Sequence, residues 1–558
     1  MISAAGPVLG DLRVRRVTWL APGVALVAVI ALLYLGRRLT FFGDEWTFVF
    51  VRRGSDPLVF FGPHNEHWST IPVLIYRALF ATVGLRSYLP YLAVLELLHA
   101  GCALLLFAII RRRSGPLLAL GAMLLFLFLG RGAENIVWAF QIGFVGSVFC
   151  GLLAILLLDR APITAGRRVA ASLALVASLM FSGMGLFFCG AIAVDLLLDR
   201  ERRSALLVLI APAAAYLVWF LTFGVSGVAS HRSPVSLSAL VSLVHYVPFG
   251  LGAAIAGLAG FSSNWGEAAL ALAAALLALS WYTRGRVDSR VVGALAGVVL
   301  QFAITGLVRA QLGDAQAASP RYVYVAAALL LPVAADLMAG VRWQGGLGWL
   351  LLAGFALAFL NGAVHLDSFA RDRIALIALQ NGELQTLMAF RGAPDINLNQ
   401  EIDQAVIPKI TPGLYFAATD ALGSPLPAVD VSGLRRLPAA AVNQAMVSAF
   451  AGALRIGQTS PPNDAATVSG TCRTYLGEST AYVDVTIPSR GTRRISARDG
   501  GLASLWLSYL SSPVGGPQRQ VFLVPNVWTE VTVPDTGSDI DWQLRIALPP
   551  AGQIAICG

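Results

Sequence analysis

The chain has 558 residues, 57% of them apolar and 13% charged, with a mean hydropathy of +0.71. Average soluble chains are about one quarter charged, so a soluble multidomain enzyme is excluded and a bilayer is the expected solvent for most of the length. The net charge of +9 comes from 40 basic and 31 acidic residues. It does not indicate nucleic acid, because the arginines cluster between apolar runs instead of alternating with aromatics along a stripe.

A membrane span needs about 20 apolar residues, fewer where helices are short or the bilayer thins. In chain order the segments that qualify are 17–38, 88–110, 116–132, 141–158, 169–182, 186–198, 204–223, 267–284, 291–308, 322–340 and 346–364. The first is too long for a secretory signal and lacks a small-residue cleavage site in the right place, so it is read as a retained span. Arginines cluster between spans at 13–16, 111–113, 160–168, 200–203, Arg284, Arg286, Arg290 and Arg342. The excess of Lys and Arg in cytoplasmic loops places all of them inside if there are eleven spans, with the N-terminus in and the C-terminus out. The stretch 248–262 is apolar enough for another span, but counting it would throw Arg284, Arg286 and Arg290 outside. A re-entrant or surface-lying helix is expected there.

The expected organisation is a transmembrane domain over 1–372, a helical and loop-like connection over 373–464, and an extracytoplasmic domain over 465–558. The fold class is therefore mainly α, a polytopic helical bundle in the inner (cytoplasmic) membrane, with a C-terminal periplasmic β-sandwich-like domain. Beyond 465 short alternating runs recur (TVSGTCR, TAYVDVTI, LASLWLSYL, RQVFLVP, VWTEVTV, WQLRIAL, GQIAIC) between Gly, Pro, Asp and Ser, which is the pattern of a sandwich. Cys102, Cys150 and Cys189 fall within spans, whereas Cys472 and Cys557 fall in the outer domain, where disulfides persist. A Cys472–Cys557 bridge is expected, two buried free thiols being the alternative. Trp506, Trp528 and Trp542 either stack on sugar rings or, at period two, fill the core.

The polar residues carry the functional reading. Asp44 and Glu45 follow the first span directly, and a charge at that depth is costly without a task or a partner. A helix cap or a pairing with Arg52 or Arg53 is the structural alternative. His64, Glu66 and His67 follow twenty residues later. These five residues suit a divalent cation, Mg or Mn, with Asp44, Glu45 and His67 as its ligands, or a general base, or both. More polar groups lie at the same outer level: Arg131, Glu134, Asn135, Trp138 and Gln141 in one loop, Ser182 in a turn, His231, Arg232, His245, Asn264, Trp265 and Glu267 in a long segment, and Arg309, Asp314, Gln316, Ser319, Arg321 and Tyr322 in another loop. All converge on the side opposite the arginine clusters. Within the second span Glu96 and His99 share a helix face at i and i+3, either bonding each other or a neighbouring helix, or relaying protons.

With these motifs in place, the stretch 15–365 resembles the polytopic GT-C-type glycosyltransferases, which use polyprenyl-phosphate sugars. The resemblance rests on Asp44–Glu45 after the first span, HNEHW at 64–68, ENIVWAFQ at 134–141 and ASPRYVYV at 318–325. It implies transfer of a sugar from a polyprenyl-phosphate donor in the bilayer to an envelope glycan or glycolipid acceptor. It further implies Asp44 as general base, Glu45 orienting the acceptor or ligating a metal, Arg309, Arg321 and Tyr322 at the donor phosphate, and His64, Glu66, His67, Asn135 and Gln141 at the substrate. Asp-Glu stands here where others of the class carry Asp-Asp or Asp-x-Asp, which leaves open which carboxylate is the base and whether metal is needed. The competing readings are a transporter, flippase or polysaccharide-export protein, which calls for charges at mid-membrane and related halves, and a sensor or assembly protein anchored by the spans.

Overall fold

The computed structural model describes residues 6–226, 237–285, 288–339, 345–459, 472–476, 482–510, 518–525, 527–547 and 553–558. His231, Arg232, Arg286 and Arg342 lie outside the described residues. In chain order the helices are α1 (Gly6–Gly36), α2 (Glu45–Val51), α3 (Pro57–Phe61), α4 (Thr70–Thr82), α5 (Leu89–Ser114), α6 (Pro116–Leu127), α7 (Ala133–Val137), α8 (Ile142–Leu158), α9 (Ala165–Phe181), α10 (Gly185–Leu198), α11 (Ile210–Trp219), α12 (Leu237–Leu258), α13 (Gly266–Arg284), α14 (Ser289–Arg309), α15 (Pro320–Met338), α16 (Gly345–Ala389), α17 (Pro412–Leu422) and α18 (Ala439–Ala449). The chain forms two compact units. One comprises Met1–Arg38, Val51–Thr82 and Tyr88–Asp372, the other Leu39–Phe50, Val83–Ser87 and Arg373–Gly558. The loop 39–87, which the sequence reading kept whole within the membrane domain, is thus divided, and its Asp44 segment groups with the C-terminal half.

Each of the eleven expected spans coincides with a helix of the first unit or with the start of α16. Among the described residues nine helical stretches are long and apolar enough to cross a membrane, or ten if α6 and Gly130–Val137, bent by 46°, form one broken span. At 14 residues α10 rises only about 21 Å, short of a hydrocarbon core of about 30 Å. It is sheltered by packing, with Phe187, Phe188, Ala191, Ile192 and Leu196 buried. Gly293 and Gly297 let α14 approach α10 closely: a Cβ on Gly293 would meet the Ala191 carbonyl at 2.5 Å, and one on Gly297 the Phe187 carbonyl at 2.9 Å. This is the small-xxx-small device of membrane helices, which associate by close packing rather than by the hydrophobic effect.

The arginines assigned to one side do gather at one end of the bundle. Asp159 pairs with Arg113, with Arg112 at 3.5 Å and with Arg290 at 3.3 Å; Arg202 pairs with Asp195 and Asp199 at 2.7 Å each; Arg284 meets Asp336 at 2.6 Å. The stretch 248–262 is part of α12, a continuous helix long enough by composition to span. Leu243 and Tyr246 pack on Gly306, Gly250 on Phe302, Gly252 on Gly266, and Gly257 against Arg131 and Val323.

At mid-bundle His99 bonds neighbouring helices and not Glu96. Its Nδ1 is 2.8 Å from the Tyr324 hydroxyl and its Nε2 is 3.2 Å from the Leu127 carbonyl oxygen. One side chain therefore ties α5 to α6 and α15.

In the second unit the described C-terminal residues include nine strands: β1 (Arg455–Thr459), β2 (Cys472–Leu476), β3 (Tyr482–Ile487), β4 (Thr492–Ala497), β5 (Gly501–Ser508), β6 (Gln518–Leu523), β7 (Trp528–Thr532), β8 (Trp542–Ala547) and β9 (Gln553–Cys557). They pair antiparallel in two sheets, ordered β1-β7-β4-β9-β2 and β3-β8-β5-β6. Alternate residues of both are buried, including Leu505, Leu507, Trp542, Leu544 and Ile546 from one sheet and Ile495, Val531, Ile554 and Ile556 from the other, as in a sandwich. Two strands escaped the sequence reading: β1, which precedes 465, and β4, whose paired arginines mask its alternation.

The Cys472–Cys557 bridge is present, and the two cysteines stand directly opposite each other on β2 and β9. It closes a separation of 85 residues, for which the chain-entropy model gives stabilisation of about 4.6 kcal/mol. Replacing both cysteines with serine is expected to lower the urea midpoint of the sandwich, followed by its tryptophan fluorescence, with no further drop on adding reductant. A midpoint equal to that of the oxidised wild type would show the bridge to be idle.

Candidate functional site

Between α3 and α4 the chain makes a tight turn. His64 and His67 exchange backbone N–H to carbonyl bonds of 3.0 Å each, and Asn65 takes φ +51°, a conformation asparagine tolerates better than most residues. The turn carries Glu66 at its tip. Its flanks are pinned. The Arg52 guanidinium donates to the carbonyls of Leu58, Val59 and Pro63 at 2.9, 3.1 and 2.7 Å. Trp68 donates to the Thr70 hydroxyl at 2.7 Å, which donates to the Phe60 carbonyl. Trp219 stacks on Trp68 at 5.4 Å and donates to the Phe61 carbonyl.

Onto this turn comes the end of α14, where Arg309 pairs with Glu66 at 2.5 Å. His67 Nε2 lies 3.9 Å from the same carboxylate, and its ring meets Phe144 edge-on at 5.4 Å. Burial alone would raise the Glu66 pKa, but His67 and Arg309 overcome it and hold the carboxyl down at about 2. Burial pushes the His67 imidazole down to about 4 against the pull of Glu66. At neutral pH, therefore, His67 is neutral and Arg309 alone balances Glu66.

The other residues from the sequence reading join at the same end of the bundle. Tyr322 is 3% exposed and lies within electrostatic reach of Arg309 and Arg321; Gln301 donates to its carbonyl at 2.8 Å, fixing the first turn of α15. Arg321, with its side chain 36% exposed, stands 3.5 Å from Glu134, and Gln141 donates to Glu134 at 3.2 Å. Asn135 is wholly buried on α7, and neither its amide oxygen nor its amide nitrogen has a hydrogen-bond partner among the described residues. Buried amides are rarely left so. His64 packs edge-on against Phe140 at 5.1 Å. Sequence reasoning missed Trp219 and considered Arg52 only as a partner for Asp44 or Glu45; both touch the turn through backbone carbonyls or a stacked ring and so leave no motif.

Asp44 and Glu45 belong to the second unit. Asp44 precedes α2 and accepts from the Thr47 N–H at 3.1 Å through its carbonyl; its side chain is partly exposed. Glu45 is wholly buried, and its carboxylate accepts from the Phe42 N–H at 3.1 Å. It thus closes its own loop in the manner of a capping box. Gln380 on α16 donates to the Phe41 carbonyl at 2.6 Å, and the Arg373 guanidinium lies 4.9 Å over the Phe42 ring. Neither residue was singled out in the sequence, being more than 300 positions away. Among the described residues no group of three or more His, Cys, Asp or Glu side chains is placed to hold a metal ion.

No protein-family model and no curated protein matches the chain. Among solved structures it is similar to ArnT from Cupriavidus metallidurans bound to undecaprenyl phosphate, with 14% identity, 75% of this chain and 86% of that one covered, and a TM-score of 0.48. The apo state of the same protein aligns over 74% and 86% with 14% identity and a TM-score of 0.49. At that identity and with TM-scores below 0.5, these similarities transfer no residue roles to this chain.

The depressed pKa values set a pH dependence. The unfolded chain takes up the His67 proton near pH 6.5 and the folded one only near 4, so stability falls as pH drops through that window; Glu66 withdraws its share below about 4.5. Thermal unfolding of the detergent-solubilised protein is expected to show a midpoint that decreases from pH 7 to pH 4.5, and His67→Gln should flatten that decrease. Identical slopes for the two proteins would remove His67 as its source.

Proposed function

We propose that the chain is a membrane glycosyltransferase that moves a sugar from a polyprenyl-phosphate donor to an envelope glycan or glycolipid acceptor at the outer face of the cytoplasmic membrane. The observation that carries this reading is the convergence of Glu66, His67, Arg309, Tyr322, Arg321, Glu134 and Gln141, drawn from four distant segments, at the bundle end opposite the arginine clusters. A lipid-linked donor keeps its chain in hydrocarbon and its phosphate at the interface, which is the depth of this cluster. A transporter reading has less support, since His99 is occupied as a link between helices.

The assigned roles follow from the chemistry. Arg321, the more exposed guanidinium, meets the donor phosphate first, and Arg309 completes the pair; guanidiniums hold phosphate by parallel hydrogen bonds. Glu66 orients Arg309 and keeps that buried cation paired before the donor arrives. Asn135 and Gln141 offer amides to sugar hydroxyls. The acceptor oxygen forms a bond to the anomeric carbon as the bond from that carbon to the phosphate oxygen breaks; the electron pair leaves with the phosphate, and the acceptor proton passes to Asp44. By this assignment Glu45 acts through the Asp44 loop and not on the substrate. The orientation that goes with the function has the N-terminus inside and the sandwich outside, where its disulfide persists.

Incubation of the purified protein with polyprenyl-phosphate pentoses and hexoses is expected to release polyprenyl phosphate. Asp44→Asn should lower the rate by about a hundredfold or more, and Arg321→Ala should chiefly raise the KM for the donor. Wild-type turnover by correctly folded Asp44→Asn protein would refute the base assignment. A periplasm-active reporter fused after Gly392 should be active; activity of a cytoplasm-dependent reporter at the same site would refute the orientation.

A further inference from the structure

The two outer faces of the sandwich differ in chemistry. On the four-stranded sheet the alternation sends Tyr482, Asp484 and Thr486 of β3, Gln543, Arg545 and Ala547 of β8, Leu502, Ser504, Trp506 and Ser508 of β5, and Gln518, Gln520 and Phe522 of β6 outward. The register aligns them in rows: Asp484, Arg545, Trp506 and Gln518 in one; Tyr482, Ala547, Ser504 and Gln520 in the next; Leu502 and Phe522 in the last. Three aromatic rings thus stand among amides and hydroxyls on one face. On the five-stranded sheet Trp528 is the one aromatic ring among the outward residues of β4, β7 and β9, and Arg494–Glu530 and the disulfide occupy its neighbourhood.

We propose that the outward face of the four-stranded sheet binds an uncharged glycan. Tyr482 and Phe522 are 53% and 59% exposed, unusual for rings with no solvent-avoiding task. The Tyr482 ring is held in place: Arg545 lies 4.7 Å over it and is itself fixed by two bonds to Asp484, at 2.7 and 2.8 Å. The guanidinium covers one face of the ring, and an aromatic plane supported in this way offers the other to an apolar sugar face. Elsewhere on the face Gln518 donates to the Ser504 hydroxyl at 2.6 Å, and the Thr486 hydroxyl donates to Gln543, so amide and hydroxyl groups matched to sugar hydroxyls are spread across it.

Charge and area select the occupant. The one ion pair on the face cancels itself, so nothing there attracts an anionic lipid, a nucleic acid or an acidic peptide. With strands about 4.8 Å apart and same-face residues about 6.8 Å apart along a strand, the positions of Tyr482, Trp506 and Phe522 stand roughly 12–16 Å from one another, the span of a short oligosaccharide. The whole face measures roughly 300 Å² on the same spacings, well below the ~800 Å² per partner that a stable protein interface needs. Of the three tryptophans singled out in the sequence, Trp542 is wholly buried and donates to the Pro534 carbonyl, so it belongs to the core. Trp506 is the one on this platform. This binding does not depend on sugar transfer by the membrane half.

The test titrates the full-length protein in nanodiscs with neutral linear oligosaccharides of glucose, mannose, galactose and arabinose. At least one series should bind saturably, and Tyr482→Ala and Phe522→Ala, both at exposed positions, should each weaken it about tenfold while leaving the thermal midpoint unchanged. Asp44→Asn protein should bind that series as wild type does. Three results would overturn the proposal: no neutral series binds; affinity is unchanged in the Tyr482→Ala/Phe522→Ala double variant; or the face instead mediates self-association, seen as a mass that rises with concentration and is lost in that variant.

Discussion

An ionised group placed in hydrocarbon must be paired, neutralised or brought to an edge, and that constraint distributes the few charges of the helical unit. At the arginine-rich end Asp159, its side chain 3% exposed, gathers three guanidiniums from α5 and the start of α14. Arg202, 2% exposed, is matched by two aspartates. Removing one partner from such a pair leaves a buried charge and costs about 3–5 kcal/mol, so these pairs lock helix ends together. The opposite end uses the same device in Glu66–Arg309 and, at 3.5 Å, in Glu134–Arg321, but there the flanking groups include a neutral imidazole, a phenol and a buried amide. The first end is closed on itself, whereas the second has polar capacity left over.

Backbone groups obey the same requirement, since an unpaired carbonyl near the bilayer costs about as much as a lost hydrogen bond. Arg52 spends its donors on three carbonyls of the segment leading into the His64–His67 turn, and Trp219 satisfies a fourth. The result is a short, irregular segment with little freedom to move. A carboxylate at the tip of such a turn keeps its position with or without a ligand, which is what a group that must orient a cation requires. Glu45 and Gln380 do the equivalent for the loop that carries Asp44, one through its own backbone and one from a helix far along the chain.

The helices were legible because a bilayer imposes a length and a composition that few other environments demand. The arginine clusters were legible too, and those among the described residues pair with aspartates at one end of the bundle. The polar residues of the bundle end were legible as a set for the same reason: scarce charges stand out against 57% apolar residues. Their partners were not. Hydrogen bonds to backbone carbonyls have no sequence signature, so Gln380 and Trp219 went unread and Arg52 was considered only as a partner for Asp44 or Glu45, while the helix-cap alternative for that pair has its counterpart in the Glu45 bond to the Phe42 N–H. In the sandwich, β4 was hidden by Arg493 and Arg494, although Ile495 and Ala497 keep the inward alternation. The aromatic residues of period two were ambiguous until register assigned Trp542 to the core and Trp506 to the surface.

The two polar surfaces of the molecule follow different physics. At the bundle end, desolvation strengthens charge–charge contacts, so guanidinium and carboxylate are effective there and an anionic group such as a lipid phosphate is the ligand that repays them. On the sandwich, water screens exposed charges and leaves them little net worth; an aromatic plane fixed by a self-cancelling ion pair, with amides around it, retains its value in water. A chain with 13% charged residues would be expected to place ions where the dielectric makes them count and to rely on rings and amides elsewhere. Glu66–Arg309 in the one unit and Tyr482 over Arg545 in the other follow that division.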